Sequence, residues 1–220
     1  MTALVLILTF FAGWFLWIAG EYHLHRFAMH HMKGRGIASR EHLLHHAHPD
    51  RTDPFTRFLS YLGVVVVGTA IGIILALLLD PVIGLGVALG WMLGYLFYEM
   101  LHWRAHARPP RGRYDLWLRR HHFHHHFGHP MANHGVTSSL WDHVYGTFER
   151  PERIRVPRRL AMGWLVDDSG EVHAAYRADY VLAGGPRPSQ GAEPGPASVE
   201  DGTQAVEDER RAFANQAPAV

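Results

Sequence analysis

The sequence predicts an all-α fold: a small integral-membrane helical bundle carrying a histidine-rich helical cap on its cytoplasmic side and ending in a disordered C-terminal tail. Three observations carry this expectation. Three long stretches, 2–20, 58–79 and 81–98, contain no charged residue. Of the 19 histidines, all but His173 lie between His23 and His143, in the segments that follow the first and third stretches. All 21 Lys and Arg lie either between Arg26 and Arg57 or from Arg104 onward.

The uncharged stretches come first in the argument. A helix rises about 1.5 Å per residue and a bilayer core is about 30 Å thick, so each stretch can span or nearly span. They belong to one predicted domain, residues 1–150, with spans at 2–20, 58–79 and 81–98. The second and third are joined by the tight Leu79-Asp80-Pro81 connection and read as a hairpin. Basic residues favour the cytoplasmic side, which places the N-terminus and Asp80 outside and both histidine-rich regions and the C-terminus inside. The start, MTALVLILTF, has no basic segment before its apolar run, so an uncleaved anchor is expected rather than a cleaved signal. The glycines of the hairpin, Gly63, Gly68, Gly72, Gly84, Gly86, Gly90 and Gly94, read as close-packing positions between helices.

Beyond the cap, residues 151–182 read as a surface-associated extension, with Trp164 at the headgroup level. Residues 183–220, rich in Gly, Pro and charge, read as the disordered tail, with a short helix near Glu207 to Asn215.

Composition excludes several classes. There is no cysteine, hence no disulfide, iron–sulfur cluster or thiolate-ligated haem within the chain. A net charge of +1 supplies no bulk attraction for nucleic acid, and the local basic residues read as membrane-surface contacts.

The chemistry lies in four histidine boxes. His25 and His30 stand in HRFAMH; His42, His45 and His46 in HLLHH; His102 and His106 in HWRAH; His122, His125 and His126 in HFHHH. Positions i, i+3 and i+4 share a helical stripe, so each triad is expected to turn its imidazoles toward one point. His25 and His30, five apart, are expected to straddle a metal pair or to sit on a distorted turn. Neutral imidazole suits iron, zinc, copper and nickel, and ten such ligands surround two ions at about five each. Carboxylates are nearly absent from the boxes, with Glu41 and Glu99 at their borders. A transporter would place its ligands near the bilayer midplane, whereas these histidines lie beyond the span ends. His23, His31, His143 and His173 read as ordinary hydrogen-bonded histidines.

Together with EYHLHRFAMH, HLLHHAHPD, HWRAH and the closing run NHGVTSSLWDHVYGT, the boxes resemble the fatty acid hydroxylase and sterol desaturase superfamily over roughly Glu21 to Phe148. The resemblance resolves a register ambiguity, since His121-x-x-His124-His125 also satisfies the box pattern; counting back from Asn133 favours His122, His125 and His126. It implies two iron ions, with zinc accepting the same ligands, and O2 as co-substrate. It implies oxidation of an unactivated C–H bond in a membrane lipid, either fatty acyl hydroxylation or desaturation. A carotenoid or sterol substrate is the alternative, and a non-enzymatic metal-binding membrane protein a second. The closing run favours the acyl or sterol branch. Many relatives carry a fused haem domain; here a separate electron donor is expected, a reductase, ferredoxin or cytochrome b5-like protein.

Metal-bound histidines commonly donate their second N–H to a carboxylate, carbonyl or water. Glu99, Asp115, His121, His124, Asn133 and Asp142 are the candidates to hold the ligands in place, although Asp142 and Asn133 have equal claim to helix-capping and turn roles. Phe97, Tyr98, Trp103 and Phe123 read either as walls of a lipid slot or as interfacial anchors. His48 and His129 have no assigned place.

Overall fold

The computed structural model describes residues 1–49 and 54–184. The predicted helix near Glu207 to Asn215 and the predicted tail beyond residue 184 lie outside the described residues. Ala183, at the head of that tail, closes a β-strand.

Helix α1 (Thr2–His23) continues without a break into a π-helix, Leu24–His31. Helix α2 (Ile37–Ala47) follows a tight turn, and α3 (Pro54–Leu78) and α4 (Pro81–Ala107) form the hairpin. Three helical stretches, Thr2–His31, Pro54–Leu78 and Pro81–Ala107, are long and apolar enough to cross a membrane. Helices α1 and α4 run on past their uncharged stretches, because the first and third histidine boxes continue them into the cap, whereas α3 carries no box and starts one turn before its stretch, at Pro54. Asp80 starts α4, its carboxylate accepting the Val82 N–H at 2.8 Å with Pro81 in the first turn.

Helix α4 is central, packed by α1 on one side and α3 on the other. Glycine makes the close α1–α4 contact. A Cβ on Gly90 would strike the Phe10 carbonyl, and one on Gly13 the Val87 carbonyl. Such small residues let helices approach where water cannot drive association. Trp17, Trp91 and Tyr95 fill the space toward the cap. Among the described residues, Gly63 alone of the hairpin glycines has open space beside it. Leu85, Leu89, Leu93 and Leu96 form an exposed stripe on α4, as a lipid-facing surface requires.

The cap comprises the π-helix, α2 and α5 (Arg113–Phe127), closed by the short α6 (Leu140–Val144). Arg119 is fully buried on α5. Its guanidinium donates to the carbonyls of Arg104 and Arg108 at 2.8 and 2.7 Å and so satisfies the C-terminal end of α4. Two short parallel strands, β1 (Ile154–Pro157) and β2 (Tyr180–Ala183), pair Ile154 with Tyr180. They form a small non-helical addition to an otherwise helical chain. Their buried residues pack on Leu118 and Phe123 of α5 in a second core. Trp164 turns onto Phe123 and Tyr180, and its indole N–H donates to the Ala105 carbonyl at 3.1 Å.

Candidate metal centre

The ten boxed histidines assemble into two groups of five. His25, His30, His42, His46 and His125 form one, and His45, His102, His106, His122 and His126 the other; within each, the nitrogens lie within 4.8 Å of one another. Each group draws on three helical segments far apart in sequence.

The local folding explains who joins which group. A π-helix closes i to i+5, so His25 and His30 fall on one face and enter the same pocket. This is the distorted-turn alternative; the pair does not straddle. The triads behave differently from the one-point expectation. On α2, His42 and His46, one turn apart, point to the first group and His45 to the second. On α5 the assignment is exchanged: His122 and His126 join the second group and His125 the first. The physical reason is the roughly 100° step between neighbouring residues, which aims adjacent imidazoles at separate points.

In the first group the Nε2 atoms of His25 and His42 are 2.9 Å apart, those of His30 and His125 3.0 Å, and those of His46 and His125 3.1 Å. In the second, His45 and His102 are 3.1 Å apart and His106 and His122 3.0 Å. A metal–nitrogen bond of about 2.1 Å puts ligands at right angles about 3 Å apart, so these separations match edges of a coordination polyhedron. Both ring nitrogens of His126, although buried, have no hydrogen-bond partner among the described residues, and one of them lies in the second group. Buried polar atoms are ordinarily satisfied, so an orphaned imidazole nitrogen inside the group fits a bound metal ion.

Burial holds these rings in the neutral form that a metal needs. It lowers the basicity of His42, His45, His122, His125 and His126 well below the usual histidine value, with neighbouring imidazoles adding to the effect. Burial lowers His46 to about 3.

Main-chain carbonyls orient two rings. His25 Nδ1–H donates to the His134 carbonyl, and His125 Nδ1–H to the Ala132 carbonyl at 2.8 Å. Each bond leaves Nε2 free to face the centre. Asp142 acts one step further out, accepting the backbone N–H groups of His134 and Gly135 at 2.8 and 3.0 Å and facing His121 Nε2 at 3.1 Å. Asn133, at φ +56°, donates to the carbonyls of His121 and Glu149.

The remaining candidates lie elsewhere. Asp115 pairs with Arg104 at 2.9 Å and with Arg119. Glu99 accepts from Tyr61 at 3.3 Å and faces Arg57 at 3.6 Å. His124 and the unassigned His129 both bind Glu149, each at 2.7 Å. His48 joins neither group. Tyr98 and Trp103 line a cleft of about 170 Å³ with His45, His102 and His106. Phe97 packs on Trp14 instead, and Phe123 on the second core.

Two residues escaped the sequence reading. His134 is fully buried, its ring centroid 5.5–5.7 Å from those of His25, His30 and His125. Its place inside the closing run was the available signal. Glu21 accepts the N–H groups of Val136 and Thr137 and the Thr137 hydroxyl, tying the end of α1 to the turn after His134. A carboxylate directly after an apolar span was its only trace.

A fatty acid 2-hydroxylase of Macaca fascicularis is 34% identical over 151 residues, covering 64% of this chain and 40% of that protein. A dihydroceramide fatty acyl 2-hydroxylase of Arabidopsis thaliana is 32% identical over 139 residues, covering 61% and 58%. A solved structure described as full-length scs7p, with only the hydroxylase domain visible, superposes with a TM-score of 0.54 at 29% identity, over 69% of this chain and 59% of that one. The chain thus spans about two fifths to three fifths of the length of these relatives. The fatty acid hydroxylase family model matches residues 10–147, from within α1 to the turn after α6. Since that match takes in every one of the clustered histidines, the chain belongs to the fatty acid hydroxylase family.

Proposed function

We propose that this protein hydroxylates a fatty acyl chain of a membrane lipid, at the carbon next to the acyl carbonyl, using O2 and two iron ions held by the two histidine groups. The observation that carries the reading is the cleft beside the second group. His45, His102 and His106 form its inner wall, and Arg57, Ser60 and Tyr61 of α3 its outer wall. A narrower cavity of about 70 Å³ shares Met29, Ser60, Tyr98 and Glu99 with it and continues among Trp17, Val64 and Tyr95 of the spans. An acyl tail suits the apolar end, and a polar head the end beside the imidazoles.

Bound iron would supply the reductive activation of O2 that breaking an unactivated C–H bond requires. The chain's own residues do the rest. Attack next to the carbonyl demands that the polar end of the substrate lie at the histidines rather than far from them. Arg57 offers a donor to a carbonyl oxygen there, and Glu99 an acceptor to an N–H or O–H. Buried imidazoles exclude water from the reacting centre. The relatives' names, fatty acid 2-hydroxylase and dihydroceramide fatty acyl 2-hydroxylase, support the acyl substrate and the 2-position. The distribution of basic residues supports a cytoplasmic cap. Electrons come from a separate donor.

The test is mass spectrometry of total lipids from a host expressing the chain or its His125→Ala variant. A lipid that gains one oxygen at carbon 2 only with the intact chain is the expected result. Loss of two hydrogens instead would make the enzyme a desaturase, and identical lipids in both hosts would overturn the proposal.

A further inference from the structure

We infer that the cleft over His121 on the cap is the docking site of a small acidic one-electron carrier protein. The inference rests on the hydroxylase reading above, because inserting one oxygen of O2 into a C–H bond consumes two electrons and two protons and releases one water. With the substrate in the cleft between α2, α3 and α4, a donor has to approach elsewhere.

A cleft of about 320 Å³ on the other face of α5 meets that need. Arg113, Trp117, Arg120, His121, Phe148 and Arg150 line it. Its charge is net positive. Arg120 is paired with Asp179 at 2.9 Å, and the one carboxylate in the lining, Glu149, accepts from His124 and His129. Arg113 and Arg150 are exposed, and no ion pair engages either among the described residues. Two unpaired guanidinium groups against one carboxylate favour an acidic partner and speed its encounter.

The floor of the cleft connects to both pockets. His121 precedes His122 of the second group. Its Nε2 faces Asp142 at 3.1 Å; Asp142 accepts the His134 N–H at 2.8 Å; and the His134 carbonyl accepts from His25 of the first group. The same imidazole lies in a column of stacked rings, 5.2 Å from Trp117 and 5.7 Å from Phe148. An anionic lipid headgroup would use the arginines but has no use for this connection, which decides between the two partners. Each encounter oxidises the carrier by one electron and reduces the metal pair by one, and two encounters supply one turnover.

The test uses the iron-loaded full chain in nanodiscs, with two reductants: a reduced plant-type [2Fe–2S] ferredoxin, which is acidic, and the methyl viologen radical cation. For the double variant Arg113→Glu/Arg150→Glu, the second-order rate of iron reduction by ferredoxin should fall about 10-fold or more at low salt. Methyl viologen should reduce it as fast as the wild type or faster. The neutralising pair Arg113→Gln/Arg150→Gln should fall between, which guards against misfolding of the reversed pair. Ferredoxin binding, read by surface plasmon resonance, should weaken in parallel. Equal ferredoxin rates in all three proteins would overturn the docking site, as would a wild type that methyl viologen reduces and ferredoxin does not. Loss of binding to phosphatidylserine vesicles with unchanged ferredoxin rates would overturn it in favour of a membrane contact. Reduction by neither donor would overturn the iron reading along with it.

Discussion

The imidazoles of His46 and His126 lie face to face, their centroids 4.1 Å apart and their planes 7° from parallel, although each belongs to a different group of five. This stack is the seam between the two pockets. Neighbours in sequence divide across the same seam, His45 from His46 and His125 from His126.

Adjacent substitutions should therefore remove different ions. His45→Ala takes a ligand from the second group and His46→Ala one from the first. Each single variant should lose most hydroxylation and bind about one metal ion where the parent binds two, with the double variant losing both. Elemental analysis of purified protein decides the matter; single variants that each retain two ions would contradict the division.

Asp142→Ala should weaken metal binding without removing a ligand. It frees the His134 and Gly135 N–H groups and so loosens the carbonyl that orients His25. A loss of about 10–100-fold in metal affinity is expected, the usual cost of removing an orienting partner. Competition with a chelator of known affinity measures it, and an unchanged affinity would show that Asp142 only caps its turn.

Arg119→Met should destabilise the cap more than the spans. The substitution orphans the Arg108 carbonyl, takes one of two donors from the Arg104 carbonyl, which keeps the Arg108 N–H, and leaves Asp115 one cation fewer. Breaking such a buried set costs about 3–5 kcal/mol. Thermal unfolding of the protein in detergent should show a clear drop in midpoint, whereas Arg153→Met, at an exposed site, should show little.

Gly90→Leu should separate α1 from α4, because its side chain would meet the Phe10 carbonyl and the Trp14 backbone nitrogen. A cost of about 1–3 kcal/mol is expected from overpacking. Gly63→Leu, in open space, is the control. Equal stability of the two variants would argue against the close α1–α4 contact.

Acid should destabilise the metal-free protein. His46 is lowered from 6.5 to about 3 and His42 well below 6.5, so the unfolded chain binds protons that the folded chain refuses. The stability these neutral rings contribute is present above pH 6.5 and is lost progressively as the pH falls from there toward about 3. Melting temperatures of chelator-treated protein across that range test it, and a flat or rising profile on acidification would refute the neutral-ring account.

Much of this molecule was legible in its amino-acid order. Uncharged runs of bilayer length predicted three apolar helices, since helix rise and bilayer thickness leave little choice, and the ten boxed histidines are the ten that cluster. Spacing along one helix could not say which imidazole shares a centre with which. That division depends on a π-helical turn under His25 and His30 and on the angle at which α2 faces α5. Nor could it reveal that Glu99 would turn to Arg57, that Asp115 would serve Arg119, or that Glu21 and His134 would meet the site from the far ends of the domain. Local order sets which residues lie on one helical stripe, because helix geometry is local. Only packing between distant segments decides what each stripe faces, because partners more than 100 residues apart, such as Glu21 and Val136, meet through the assembled bundle alone.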